Sequence, residues 1–262
     1  MISYNPSLPL ISVHVPKCGG TSLDQVLEGW FSATHLYDPN KHPRLYPYIS
    51  GNVYLQLRRF LNIGYHRHYR MDLFQADPIK IDLENTYGLL LNKRIPVCIH
   101  GHFNNEKGYG VWDYYPTAKQ FITVLRDPLE MALSMYFYIN QNFAKDGLIY
   151  FDQNRADPRP QQSLNGFISG HKINIQKYFP MELNVGNLQK QLNTYFIHAG
   201  VIEHLQTYLD GLAEKLGKKK VEVPVLNAAK RSYEPSKDAI DRFKDKNKLE
   251  YAFYEKVAEI NA

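Results

Sequence analysis

Two cysteines, Cys18 and Cys98, are all that the 262 residues contain, which leaves no disulfide framework and no cysteine metal cluster. No apolar stretch approaches the ~20 residues of a membrane span, so no integral membrane segment is expected. The opening residues, MISYNPSLPLIS, lack both a basic region and a long apolar core, and no secretory signal is read in them. Internal repeats and low-complexity tracts are missing. So are the two familiar phosphate-loop patterns, G-x-x-x-x-G-K-[ST] and G-x-G-x-x-G. The net charge of +5 is spread along the chain, which favours an anionic ligand but gives no DNA-binding face. Together these absences predict a soluble cytoplasmic protein that binds no nucleic acid.

What is present suits one domain with a sizeable core. Hydrophobic residues make up 44% and charged residues 22%, ordinary proportions for a globular chain of this length. Tyrosine is abundant, with 20 copies, and serves either a sugar-binding surface or simple packing.

The most informative stretch is Leu10 to Leu27, LISVHVPKCGGTSLDQVL. Leu10, Ile11, Val13 and Val15 favour a buried strand that ends at Pro16, which cannot continue a ladder. Gly19 and Gly20 permit a sharp turn and close approach to a ligand. Ser22 and Gln25 have the spacing of a capping box, and Leu23, Val26 and Leu27 give the helix an apolar face. Amides at such a turn, with the positive end of the helix behind them, form an anion site. Lys17, Thr21 and Ser22 add a charge and hydroxyl donors. A lysine ahead of the glycines suits one phosphate-ester oxygen rather than a magnesium-bound triphosphate tail. The plainer alternative is a strand–turn–helix with a solvated lysine. Cys18, beside Lys17 at a helix start, is placed either for a lowered thiol pKa or as a small residue filling the turn.

Two further segments carry chemistry. In Ile95 to Phe103, IPVCIHGHF, a short buried strand delivers His100, Gly101 and His102 at its carboxyl end, where the ligand crevice of an open α/β sheet lies. Alternation puts both histidines on one side if the strand continues. They suit a base with its partner, or structural roles. A metal pair would need two more ligands, and Asp113 is the only close acidic candidate, so no metal is assigned. In Gln120 to Asn142, a strand closes at Arg126–Asp127–Pro128, and Pro128 opens a helix that carries Ser134 two turns on. An arginine fork and a hydroxyl suit a second phosphate; the alternative is that Arg126 pairs with a neighbouring carboxylate.

Elsewhere the pattern is coarser. Prolines mark 38–43 as a loop. Residues 53–69 show helical spacing at Val53, Leu57, Phe60 and Leu61, followed by a cationic tail. Arg58, Arg59, His66, Arg67, His68 and Arg70 form the densest basic patch, read as contact with an acidic acceptor or as a solvated face. Residues 146–194 read as loops and short helices, and Tyr195 to Ile202 as a strand. Glu203 to Leu216 is an amphipathic helix ended by Gly217. A last short strand over Val221 to Leu226, a polar loop at Asn227 to Tyr233 and a charged helical end over 237–260 complete the chain.

VPKCGGTSL resembles the 5′-phosphosulfate loop of sulfotransferases that use 3′-phosphoadenosine 5′-phosphosulfate (PAPS), especially the Golgi carbohydrate type and its bacterial relatives. LRDPLEMALSMY resembles their 3′-phosphate motif, an arginine followed eight positions later by serine, here Arg126 and Ser134. His100–Gly101–His102 is similar to the H-G-H of uronosyl 2-O-sulfotransferases, and VIEHL with NAAKRSYEP looks like the family's C-terminal pattern. The resemblance implies one α/β sulfotransferase domain over 1–262, a P-loop-like parallel sheet flanked by helices, with 31–95 as an acceptor-side insertion. It implies PAPS as donor and its desulfated product, PAP. Lys17, Cys18, Gly19, Gly20, Thr21, Ser22, Arg126, Ser134, Lys230, Arg231, Ser232 and Tyr233 would hold the donor. His102 would be the base, His100 its partner and Lys17 the group that stabilises the leaving phosphate. Arg58, His66, Arg67 and Arg70 would meet the acceptor hydroxyl compound, an anionic glycan or glycolipid. The competing expectations are a small-molecule kinase and a non-catalytic nucleotide- or glycan-binding module.

Overall fold

The computed structural model describes residues 1–31, 64–68, 88, 90–93, 95–146, 163–223 and 234–261, with the side chains of 66–68, 139–146 and 261 outside the description. Five parallel strands form one sheet: β1 (Leu10–His14), β2 (Tyr65–His68), β3 (Cys98–Gly101), β4 (Gln120–Leu125) and β5 (Phe196–Val201). Their spatial order is β2-β3-β1-β4-β5. β4 and β5 are buried at every position, as strands covered on both faces must be. Register pairs Ser12 with His100 on one side of β1 and with Ile122 on the other.

Side chains of alternate residues feed two cores, one on each face. Leu10, Cys98, Ile122, Val124 and Ile197 pack against α1 (Gly20–Phe31) and α6 (Leu205–Leu216). Ile11, Val13, Ile99, Phe121, Phe196 and Ala199 pack against the remaining helices. These are α2 (Val111–Tyr114), α3 (Pro128–Asp146), α4 (Leu164–Gly170), α5 (Leu188–Tyr195), α7 (Lys237–Lys246) and α8 (Lys248–Ala258). The result is an α/β layer structure with a parallel sheet between helices. Among the described residues, no helix is long and apolar enough to cross a membrane.

Three local expectations need correction. Ser22 does not cap α1. The helix already begins at Gly20, the Gly19 carbonyl accepts from the amides of Ser22 and Leu23, and Ser22 is buried inside the first turn. The cationic tail of 53–69 is not a helix end or loop: Tyr65–His68 is β2, paired with β3 from Tyr65 opposite Cys98. Gly64 enters that strand at φ 85°, where a Cβ would fall 2.6 Å from the Pro96 carbonyl, so only glycine makes the bend. Residues 221–223 form no strand. The Gln206 side chain holds them instead, accepting from the Val223 amide and donating to the Val221 carbonyl. Residues 53–61 and 224–226 lie outside the described residues.

The charged C-terminal helix is two helices, divided at Asn247. This asparagine is fully buried; its Oδ1 accepts from the Ile173 amide at 2.7 Å, and its Nδ2 donates to the carbonyls of His171 and Phe243. It thereby ties α7 and α8 to the segment 171–175 that reaches the strand ends. Asn247→Ala strands the buried Ile173 amide and the side-chain bond to the His171 carbonyl, while Phe243 keeps the Asn247 backbone amide, and is expected to cost about 2–4 kcal/mol. Urea unfolding measures the loss. Asn247→Asp, which turns an acceptor oxygen toward the His171 and Phe243 carbonyls in a buried place, should cost at least as much.

Candidate functional site

The sheet places its singular residues at the carboxyl ends of its three central strands. β1 runs into Val15–Pro16–Lys17–Cys18–Gly19, and α1 starts immediately after. Lys17 has φ 69°, the only positive φ at a non-glycine among the described residues. Such a conformation costs on the order of 1 kcal/mol and persists only where neighbours enforce it. Arg126, at the end of β4, supplies one restraint: its Nη1 donates to the Lys17 carbonyl at 3.3 Å. Tyr138 on α3 supplies another, since the Lys17 ammonium lies 3.9 Å from its ring centroid. The turn also closes on itself through the Cys18 amide and the Val15 carbonyl.

Electrostatically the site gathers positive charge in a half-buried place. Desolvation lowers the Lys17 pKa, and the nearby Arg126 charge lowers it further. Arg126 is held by Glu130 at 3.3 Å, one turn along α3, with Ser134 one turn beyond Glu130. The expected arginine–serine pair thus has a carboxylate between its members. α1 starts at the same loop; its Ser22 and Leu23 amides turn to the Gly19 carbonyl, and those of Gly20 and Thr21 ahead of them are the ones for which a helix has no carbonyl of its own. Cys18 is not a reactive thiol. It is buried against Met131, and burial pushes its pKa up to about 12. Gly19 packs onto Ile202, and Thr21 is exposed at the helix start.

On the other side of β1, β3 brings up the histidines. His100 is buried, with Nδ1 2.9 Å from the Ser12 hydroxyl. His102 is half-buried just beyond the strand. Its Nδ1 lies 3.2 Å from the His14 carbonyl. A carbonyl oxygen only accepts, so Nδ1 carries the proton and Nε2 is the basic nitrogen. His14 itself was not singled out in the sequence. Its ring stacks on both others, at 4.2 Å from His102 and 5.1 Å from His100. The signal for it was there: Ser12 and His14 are the polar positions of an otherwise apolar run, on the same face two residues apart. Glu130 and Tyr138 also escaped notice. Among the described residues no group of three or more His, Cys, Asp or Glu side chains is arranged to hold a metal.

The loop residues Lys17 to Ser22, Arg126, Ser134, His100 and His102 therefore occupy three adjacent strand ends and the helices that follow them. His66 and Arg67 belong to β2, where Arg67 is in register with His100, but their side chains lie outside the described residues. Arg58, Arg70, Lys230, Arg231, Ser232 and Tyr233 also lie outside them. A comparison with protein-family models finds no matching family, and a comparison with curated proteins finds no matching relative.

Burial and the positive charges of His102, His100 and Lys17 hold the His14 pKa well below that of a free imidazole. An unfolded histidine takes up a proton near pH ~6.5. Folded His14 does not, so below that pH the unfolded state binds more protons and stability falls as pH falls. His198, pushed down to about 4 by burial and by Lys215, acts in the same direction. Urea midpoints should decline on acidification from pH ~7.5 to ~5. The decline should be shallower in His14→Phe, which has no group to protonate there.

Proposed function

We propose that this protein is a PAPS-dependent O-sulfotransferase acting on a hydroxyl of an anionic carbohydrate or glycolipid, built on a P-loop-like sulfotransferase fold. One observation carries the reading. The β1–α1 loop is touched from the end of β4 by an arginine, and the last residue of β1, just ahead of the loop, by a histidine beyond β3 whose tautomer leaves Nε2 basic. An anion-binding loop with a base on one side and a second cation on the other suits transfer of a charged group to a hydroxyl.

The donor supplies an activated sulfuryl group, and the protein's residues do the rest. The loop amides and the start of α1 hold the 5′-phosphate end. Arg126, with Ser134 on the same helix, takes the 3′-phosphate. Glu130 then shares the guanidinium, which has a second edge to offer. Lys17 leaves the Tyr138 ring for the phosphate. A cation–π contact at such an exposed ring is worth ~0.5–1 kcal/mol, against ~1.5–3 for a charge-assisted hydrogen bond, so the anion wins. His102 Nε2 accepts the acceptor's proton as the acceptor oxygen bonds to sulfur and the sulfur–phosphate oxygen bond breaks. Charge grows on that departing oxygen, and Lys17 stabilises it. His100, anchored to Ser12, would assist the base.

Incubation with donor labelled in the sulfuryl group, across acidic glycans and glycolipids, should give labelled product. Lys17→Ala and His102→Ala should each lower kcat by ~10²–10⁴. His102→Ala should bind PAP as the parent does, whereas Arg126→Ala should bind it about 10–100-fold more weakly. Full transfer by His102→Ala removes the base assignment. PAP binding with no transfer to any acceptor points to a binding module, and phosphate transfer from ATP to a kinase.

A further inference from the structure

His14 has no task in the reaction just described, yet it meets His102 twice. Its carbonyl accepts the Nδ1 proton at 3.2 Å, and its ring lies against the His102 ring with centroids 4.2 Å apart and planes at 26°. On its other flank it stacks on His100, at 5.1 Å and 18°. Its far edge abuts the first residue of α1, where a Cβ on Gly20 would fall 1.8 Å from Nε2. Glycine at 20 is what makes room for this ring. A single imidazole therefore bridges the histidine on the acceptor side and the helix start on the donor side.

We propose that His14 is a positioning residue: its carbonyl and ring together hold His102 in one tautomer and one orientation, and its seat under Gly20 couples that orientation to the donor loop. The catalytic meaning rests on the sulfotransfer reading, but the positioning itself concerns the His102 ring and is testable without turnover. The carbonyl alone fixes which nitrogen carries the proton, while leaving the ring free to pivot about the Nδ1–oxygen line. A second flat ring against it removes that pivot. A base aimed along one line is present at the reacting oxygen at far higher effective concentration than one that swings. The facing ring must also stay neutral, because a charged one would repel the imidazolium forming on His102. The groups around His14 are His102, His100 and Lys17, each cationic when protonated, and with burial they keep it so. What matters in His14 is its face and its backbone, not its ring nitrogens.

The decisive experiment follows the ring nitrogens of His102 by ¹⁵N NMR in the ligand-free protein, in parallel with PAP binding and kinetics. In the parent, Nδ1 should be the protonated nitrogen. His14→Ala keeps the carbonyl and removes the facing ring, so Nδ1 should stay the protonated nitrogen while the ring loses its fixed orientation, read as shifted and broadened His102 ring resonances. It should lower kcat ~10–100-fold while PAP affinity stays within about threefold. His14→Phe keeps the flat face and the carbonyl without either nitrogen, and should recover most of both losses. Unmoved His102 resonances in His14→Ala overturn the proposal whatever the activity. A folded His14→Phe as poor as His14→Ala also overturns it, since the nitrogens would then be what counts. Altered resonances in a protein that transfers no sulfuryl group uphold the positioning and sink the sulfotransferase reading instead.

Discussion

The turn from β1 into α1 is clamped from both neighbouring strands, and the rest of the site depends on that clamp. Where β1 leaves the sheet, its carbonyls run out of ladder partners. His14 and Lys17 would otherwise present unpaired acceptors beside a core. Two side chains answer them, His102 from β3 and Arg126 from β4. Each such bond contributes ~1–3 kcal/mol, the larger share falling to the charged guanidinium. That is enough to offset the left-handed backbone at Lys17, which costs on the order of 1 kcal/mol. The clamp thus explains how a lysine occupies a conformation usually left to glycine, and why His102 and Arg126 turn toward the end of β1.

The same arrangement sets the electrostatics before any ligand arrives. Lys17 and Arg126 share a half-buried space, and their mutual repulsion together with desolvation weakens the hold of Lys17 on its proton. Two cations held near each other, one on a tyrosine face and one on a carboxylate, have temporary partners rather than permanent ones. An anion with two phosphates relieves the repulsion and satisfies both cations together. In the proposed reaction both cations would reach the anion on binding, so little reorganisation would remain for the moment when charge develops.

Much of this was legible because the signals were local. Apolar runs bounded by proline or glycine located β1, β4 and β5, and the eight-residue spacing from Arg126 to Ser134 was visible on a helix whose start Pro128 marked. Tyr65–His68 was not legible, since YHRH has no apolar pattern and becomes a strand only by pairing with β3. Ser22 misled because its spacing to Gln25 imitates a cap, whereas Gly19 and Gly20 begin the helix earlier to admit the His14 ring. Asn247 breaks a continuous helical pattern for the sake of contacts with 171–173, far away in sequence. His14 lay in plain view within an apolar strand. Its role became visible only when register set Ser12 opposite His100, bringing the next alternate residue of each strand side by side.

That register also bears on direction. In-line displacement needs the attacking and leaving oxygens on opposite sides of the group transferred. Adjacent parallel strands lie ~4.8 Å apart, the scale of a group in flight between two oxygens. With the loop after β1 as the proposed anion site and the basic nitrogen of His102 just beyond β3, the proposed line of attack would run across the strand ends toward β2. β1 is also where the strand order turns back on itself, since β3 lies on one side of it and β4 on the other. Crevices in open α/β sheets form at such a reversal. In the proposed reaction, Arg126 would draw the nucleotide's second phosphate toward β4, which would leave the β3 and β2 side for the acceptor. Arg67 stands in register with His100 on that side. In the proposed reaction, the edge formed by β2 is therefore where the acceptor would lie, with its hydroxyl toward the basic nitrogen.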